Sequence, residues 1–404
     1  MFDSQAMRDP IQIGSARTMT TDKIYLSVVI FASLLFFAFS ISSPDQNWDI
    51  LGYSASAISL ENNDPAFIHN YIYGELQNYG TESERKKLMA GSDYAATMHN
   101  DANAFFQQIP YYKIRIIFVG LIYLFVTFGI NIFTAGHIIA AAAASLGLIV
   151  YFYGFKDYIK SNFWIMIPFF YVLLGIFNAA QYVTADTLAF LWIGLISVAF
   201  IRKHWTVYPL IALSVLMRTD LAVLVAIMLS YIFFFWPNSR LKASITAVLA
   251  GILYLSVNDF VGNYGWSTVF YYVFISNMTA THPEQFSQFG ISFQLYAYHV
   301  VSNLIWIFYE SEFWLFIVFI FTQYLMFFHL TNSCSSYIEK IGKYLKDPII
   351  SLTLISATYV AIHYLLFPAM WTRFFLGQYM IGALGLLYTI TLFIHKIESN
   401  NESL

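Results

Sequence analysis

The chain has 404 residues, 59% of them hydrophobic and only 11% charged, with a formal net charge of −3. A soluble globular domain carries about 25% charged residues, so this composition excludes a chain that lives mainly in water and defines a polytopic integral membrane protein. The small net charge gives no reason to expect nucleic acid as a partner, and the lone cysteine, Cys334, excludes an intrachain disulfide framework and a cysteine metal cage.

A polar N-terminal stretch precedes the first apolar run, Ile24 to Ile41, and no small-residue cleavage site follows it, so the run reads as a retained anchor. Lysine and arginine in short loops mark the cytoplasmic side. Arg8, Arg17 and Lys23 open that series. Lys156 and Lys160, Arg202 and Lys203, Arg240 and Lys242, Lys340, Lys343 and Lys346, and finally Lys396 continue it. The segments left for the outer side are 43–112, about 181–186, 217–220, 259–312 and 368–373.

The first of these, 43–112, holds nine acids against three bases. It reads as an outer, periplasmic loop of short amphipathic helices: DILGYSASAISL, PAFIHNYIYGELQNYG and DANAFFQQIPYYKIR. The apolar run 114–133 follows. It cannot span if 43–112 is outside, 137–155 crosses and Lys156 is inside, and the run 292–309 meets the same conflict of parity. Both are expected to lie at the outer interface or to dip in and return. That leaves about ten membrane helices, or twelve if both cross. Between them, 205–236 contains two apolar halves broken by Arg218, Thr219 and Asp220. The first half reaches only about 20 Å at 1.5 Å per residue, and such breaks line cavities because lipid cannot satisfy the freed polar groups. A water-filled outer cleft with Arg218 and Asp220 at its floor is therefore expected. The segment 259–312 begins with aromatic, nearly uncharged sequence that suits the membrane interface. The chain shows no internal repeat, and 1–404 reads as one all-α transmembrane helical bundle.

Several residues can carry chemistry on this layout. Asp49 and Tyr53 stand four apart and share one helix face. Asp49 serves either to solubilise the helix as it leaves the membrane or as a general base projecting into the cleft. Asp186, in YVTADTLAF, either supports the N-terminus of the next helix or pairs with Asp49 across the cleft, holding a divalent cation or orienting an acceptor. The outer-side bases are Lys113, Arg115, Arg218 and Arg373. Arg218 is expected to pair with Asp220, while Arg373 has no acid nearby in sequence. Lys113 and Arg115 either snorkel to head groups or join in binding a phosphate or pyrophosphate. His69, His99 and His282 lack the spacing of a zinc hydrolase, and no glycine-rich phosphate loop or nucleophile elbow occurs.

These features together resemble the GT-C class of membrane glycosyltransferases. They are the acidic outer loop with Asp49 and Tyr53, the surface segment PYYKIRIIFVGLIYLFVTFG, the second acid in YVTADTLAF, and the arginine in WTRFFLGQY. Protein O-mannosyltransferases, aminoarabinose transferases and oligosaccharyltransferases share that plan. Two departures stand out: Ile50 follows Asp49 where many relatives have an adjacent second acid, and no large C-terminal soluble stretch is present to read a sequon. The likeness is closest to bacterial lipid-linked sugar transferases. It implies Asp49 as the first-loop catalytic acid and Asp186 as the second, with Tyr53, Lys113, Arg115, Arg218, Asp220 and Arg373 contacting substrate. It further implies an inner-membrane enzyme facing the periplasm, which inverts a sugar from a polyprenyl-phosphate donor onto a glycan, lipid or protein acceptor. No cofactor is required, although a divalent cation is compatible. The alternatives are an O-antigen polymerase or ligase, in which arginines dominate, and a transporter or flippase.

Overall fold

The computed structural model describes residues 19–402 apart from 287–289, 331–338, 340–341 and 343. Arg8, Arg17, Cys334, Lys340 and Lys343 lie outside the described residues, all of whose regular elements are helical. Among the described residues six helices are long and apolar enough to cross a membrane. They are α1 (Met19–Ser42), α9 (Ile132–Phe155), α15 (Arg240–Val261), α18 (Ser311–Leu330), α19 (Pro348–Leu366) and α20 (Leu376–Glu402). This is fewer than the ten to twelve expected. The difference lies in shorter apolar helices, chiefly α10 (Ile167–Leu173), α11 (Ile176–Gln181), α12 (Asp186–Ile201), α13 (Val207–Met217) and α14 (Ala222–Phe235). An 11-residue helix such as α13 covers about 17 Å, well under a hydrocarbon core of about 30 Å, and its C-terminal end runs into the buried Arg218.

The polar loops sort into two ends of the molecule. At one end Asp45 N–H donates to the Gln181 carbonyl at 2.9 Å, and Gln108 Nε2 reaches the Thr281 carbonyl at 3.1 Å. There too Tyr264 donates to the Gln107 carbonyl at 3.0 Å, and Thr372 to Glu310 at 3.0 Å. All the segments assigned to one side by the charge rule meet here; we call it the site end. At the other, basic end Lys160 pairs with Glu398 at 2.8 Å, Arg202 bonds the Tyr153 carbonyl at 2.7 Å and Lys396 bonds the Leu330 carbonyl at 3.0 Å. The 24 residues of α9 separate the two ends by about 36 Å.

The runs flagged by parity each have both flanks at the site end; for 114–133, Lys113 bonds the Ser59 carbonyl and Asn131 bonds Glu75. The first becomes α8 (Ile116–Thr127), bent by 113° from the preceding helical stretch, Ala102–Lys113; counting that bent pair as one span raises the total from six to seven. The second becomes α17 (Phe293–Ile307). Tyr296 near its start bonds the Leu365 carbonyl, Tyr364 bonds the carbonyl of its Val300, and Glu310 just past its end bonds Thr372. Both ends of α17 thus lie at one level.

The loop after α1 folds into α2 (Asp49–Ile58), α3 (Pro65–Gln77), α4 (Glu82–Ala90), α5 (Asp93–Asn100), α6 (Ala102–Phe106) and α7 (Ile109–Lys113). Three of its nine acids serve as local caps. Asp64 accepts from the N–H groups of Ala66 and Phe67, with Pro65 opening α3; Thr81 and Glu84 close a capping box on α4; Asp101 caps α6. α2 presents no face to water: every residue from Ile50 to Ile58 is buried. Its sequence is apolar or small all round, so neighbours cover it on every side.

Glycines set the approach of the central pair, α9 and α12. A Cβ at Gly147 would enter the Phe190 ring, and one at Gly154 would meet Val198. Backbones that approach this closely gain dispersion contact, the main source of helix association where lipid is as apolar as the interface. This packing fixes the first residue of α12, Asp186, against the loop that carries Asp49.

Candidate functional site

Asp49 opens α2 but caps nothing: no backbone N–H of the helix reaches its side chain. Its carboxylate instead faces three side chains. Asn47 Nδ2 donates to Oδ2 at 3.1 Å, the Tyr112 hydroxyl donates to Oδ1 at 3.2 Å, and Arg373 Nη1 donates to Oδ2. Gly52 permits this. A Cβ there would overlap the Tyr112 ring, so only glycine one turn into α2 lets that ring lie flat enough for its hydroxyl to reach Asp49.

Asp186 likewise does not act as the cap. Thr184 Oγ1 accepts the Asp186 N–H at 3.3 Å and donates its own hydroxyl to Oδ2 at 2.6 Å. The carboxylate, 5% exposed, then receives Arg218 Nη1 on Oδ1 at 2.5 Å and faces Arg373 Nε at 3.5 Å. Arg218 grips Asp220 through Nε at 3.0 Å and Nη2 at 2.8 Å. Asp220 also accepts from the Tyr359 hydroxyl at 3.1 Å and lies 3.2 Å from His363 Nε2. The result is one alternating chain of charges, Asp49–Arg373–Asp186–Arg218–Asp220, built from four breaks between helices.

Burial makes this chain costly to disturb. Arg218 is only 2% exposed, its guanidinium 4.3 Å from the Phe374 ring centre. A buried cation holds its charge only with full pairing and hydrogen bonding, and Arg218 has one acid on each side. Three carboxylates against two guanidinium groups leave the chain one negative charge in excess while His363 is neutral.

The expected pairing of Arg218 with Asp220 is present, and Arg373 finds two acids that are remote in sequence. Asp49 and Asp186 do converge, with the Arg373 guanidinium between them. Three other expected contributors sit apart. Tyr53 is 4% exposed and packs its ring on Tyr112 at 5.1 Å and Phe118 at 4.9 Å, so it supports Tyr112 instead of facing open space. Lys113 Nζ donates to the Ser59 carbonyl at 3.1 Å and lies 5.7 Å from the Phe260 ring centre. Arg115 donates to the Tyr111 carbonyl. Neither of these two bases pairs with Asp49, Asp186 or Asp220, so they do not form one cationic clamp with Arg373.

Among the described residues no group of three or more His, Cys, Asp or Glu side chains is arranged to hold a metal ion. His69 meets the Met98 carbonyl at 3.2 Å, and His282 lies 4.0 Å from Asp101. A divalent cation between Asp49 and Asp186 would have to displace Arg373. Sequence reasoning missed Asn47, Tyr112, Thr184, Tyr359, His363 and Phe374. The available signal was weak: Tyr359 and His363 are four apart on α19, and Phe374 adjoins Arg373.

No protein-family profile, curated protein sequence or solved structure matches the chain.

Proposed function

We propose that the protein is a GT-C-type glycosyltransferase of a bacterial inner membrane. In this reading it moves a sugar from a polyprenyl-phosphate donor to an acceptor hydroxyl, with the site end facing the periplasm. In this reading the chain passes ten times between the two ends, through six helices long enough to span by themselves and four shorter apolar segments. They are α1, α9, the α10–α11 pair hinged at Gly175, α12, α13, α14, α15, α18, α19 and α20, with α8 and α17 returning at the site end. The observation that carries the reading is the meeting of Asp49 and Asp186 on the single guanidinium of Arg373.

Asp49 is the base. The acceptor oxygen gives its proton to an Asp49 carboxylate oxygen while that oxygen attacks the anomeric carbon. The bond from the anomeric carbon to the phosphate oxygen breaks, its electron pair leaves with the polyprenyl phosphate, and the centre inverts. Both Asp49 oxygens already carry hydrogen bonds. Arg373 therefore has to release Oδ2, and the donor phosphate is the anion that draws it away. Once on the phosphate, Arg373 offsets the charge that develops on the leaving group, a role commonly worth several kcal/mol in the transition state. Asp186 keeps hold of the Arg373 Nε edge through this exchange, and Arg218 and Asp220 fix Asp186.

The test uses protein in lipid nanodiscs with radiolabelled polyprenyl-phosphate sugars and host membrane extract, beside Asp49→Asn. Label should leave the lipid for a new acceptor, and the variant should be slower by about 10²–10⁴, the usual worth of a general base. Transfer by Asp49→Asn at the wild-type rate would remove Asp49 from the chemistry. Failure of folded wild-type protein to transfer from any donor would remove the transferase reading.

A further inference from the structure

Beside the charged chain, four separate stretches bring aromatic rings into one cluster. The Trp48 and Tyr94 rings meet edge to face at 5.1 Å, and the Tyr272 hydroxyl donates to that of Tyr94 at 3.3 Å. Tyr272 stacks on Tyr111 at 5.0 Å, and Tyr111 lies 5.4 Å from Tyr264. Trp48 immediately precedes Asp49, and Tyr111 precedes the Tyr112 that bonds Asp49. The cluster is therefore joined directly to the residue that carries the proposed chemistry.

Three observations separate it from ordinary core packing. First, all five rings are half-buried, whereas neighbouring core rings such as Phe105 and Phe118 are 1% and 0% exposed; the cluster keeps open ring surface. Second, the Trp48 Nε1 and the Tyr111 hydroxyl are shielded from solvent with no hydrogen-bond partner among the described residues. Fully buried core rings such as Trp164 and Tyr379 carry such groups too; what sets these two apart is that they sit on half-buried rings, where a ligand can complete them. Third, Tyr272 is placed by unusual backbone. Tyr271–Ile275 forms a π-helical turn, and Asn277 and Met278 follow at φ of 50° and 58°. Turns of that kind gather at functional sites, and non-glycine residues at positive φ persist only where the surroundings impose them. Met278 is 45% exposed, so burial of its side chain is not what holds the turn.

The chemistry of the rings selects the ligand. Four of the five carry a hydroxyl and the fifth an N–H, which suits a hydroxylated molecule better than a hydrocarbon tail. No cation faces the rings: Lys113 is held by the Ser59 carbonyl and Arg115 by the Tyr111 backbone carbonyl, so an anion has little to bind. A pyranose ring presents a face of C–H bonds to the negative face of an aromatic ring, and its hydroxyls reach donors and acceptors at the ring edges.

We propose that Trp48, Tyr94, Tyr111, Tyr264 and Tyr272 form an aromatic platform that binds a pyranose ring next to Asp49. Its place in a reaction rests on the transferase reading, but binding itself does not. The ring belongs either to the lipid-linked donor or to the acceptor glycan, and the segment 264–278 yields to admit it, bringing sugar oxygens to Trp48 Nε1 and the Tyr111 hydroxyl.

The experiment measures ligand-observed NMR saturation transfer on protein in nanodiscs, free of sugar-based detergent. The probes are the methyl pyranosides of glucose, galactose, mannose and N-acetylglucosamine. Saturable binding of one or more is expected, weakened about tenfold or more by Tyr272→Ala and by Tyr111→Ala. Tyr272→Phe, which keeps the ring and is the milder change for folding, should retain most of the affinity. Lys160→Ala at the basic end should bind as wild type does, while Asp49→Asn, slowed in transfer by about 10²–10⁴, reads the base apart from the platform. Absence of saturable binding by any of the four probes, or unchanged binding in both alanine variants, would overturn the proposal. In transfer assays, a KM rise in Tyr272→Ala confined to polyprenyl-phosphate sugar assigns the ring to the donor, and one confined to the acceptor assigns it to the acceptor. An unchanged KM for both in a transferring enzyme counts against the platform.

Discussion

The two ends of the molecule use the same ionic chemistry in opposite surroundings. At the basic end, Lys160 and Glu398 meet at 2.8 Å with side chains 43% and 56% exposed. At the site end, Arg218 and Asp186 meet at 2.5 Å with side chains 2% and 6% exposed. Water competes freely for the first pair and screens it. The second has only protein around it, so each charge depends on the others for solvation. Distance alone does not distinguish them; burial does, and it turns a surface pair into a site whose members cannot be removed one at a time.

The largest expected effect breaks that dependence. Asp186→Ala leaves Arg218 buried with Asp220 alone and deprives Arg373 of one partner; truncating one member of a buried pair costs about 3–5 kcal/mol. A fall of that size in unfolding free energy, read from reversible denaturation in detergent, is expected. A stability equal to wild type would mean that water enters the chain and that the contrast between the ends is false.

Gly52→Ala tests the geometry rather than the charges. The added methyl collides with the Tyr112 ring, and overpacking of this kind costs about 1–3 kcal/mol. Displacing Tyr112 also removes its bond to Asp49, so transfer should fall together with stability. Lys160→Ala at the opposite end should leave the melting temperature unchanged within error, and high salt should not separate it from wild type.

The smallest effect lies in the capping box of α4. The backbone N–H and hydroxyl of Thr81 each donate to Glu84 Oε2 at 2.7 Å, and these bonds hold the Glu84 carboxyl below its usual range. Because the folded value is the lower one, the stabilisation is complete above the unfolded value and is lost as pH falls through the folded one. Hydrogen exchange of the residues in α4 should accelerate as pH drops from about 6 to about 3, after correction for intrinsic rates. Glu84→Gln should flatten that dependence. An identical profile in the variant would show that the cap carries no pH-dependent stability.

How much of this was legible beforehand depends on the range of each interaction. Apolar content marked the membrane class, and the positions of lysine and arginine sorted the loops into the two groups that the structure gathers at opposite ends. The pairing of Arg218 with Asp220, two residues apart, was readable for the same local reason. Parity of crossings also flagged 114–133 and 292–309, which return to the end where they began. The sequence did not show that α2 is buried on all sides, because an apolar helix reads alike whether protein or lipid covers it.

Only the tertiary structure decided the partners of Arg373, one of which lies 324 positions away, and of Tyr112, whose path to Asp49 exists because Gly52 has no side chain. It also decided that Lys113 and Arg115 turn away from the carboxylates. The reason is physical. In lipid, hydrophobicity no longer distinguishes the face of a helix that meets protein from the face that meets the bilayer. Sequence therefore fixes which segments are helical and which end each loop occupies. Close packing of small residues decides which helices become neighbours, and with them which charges meet.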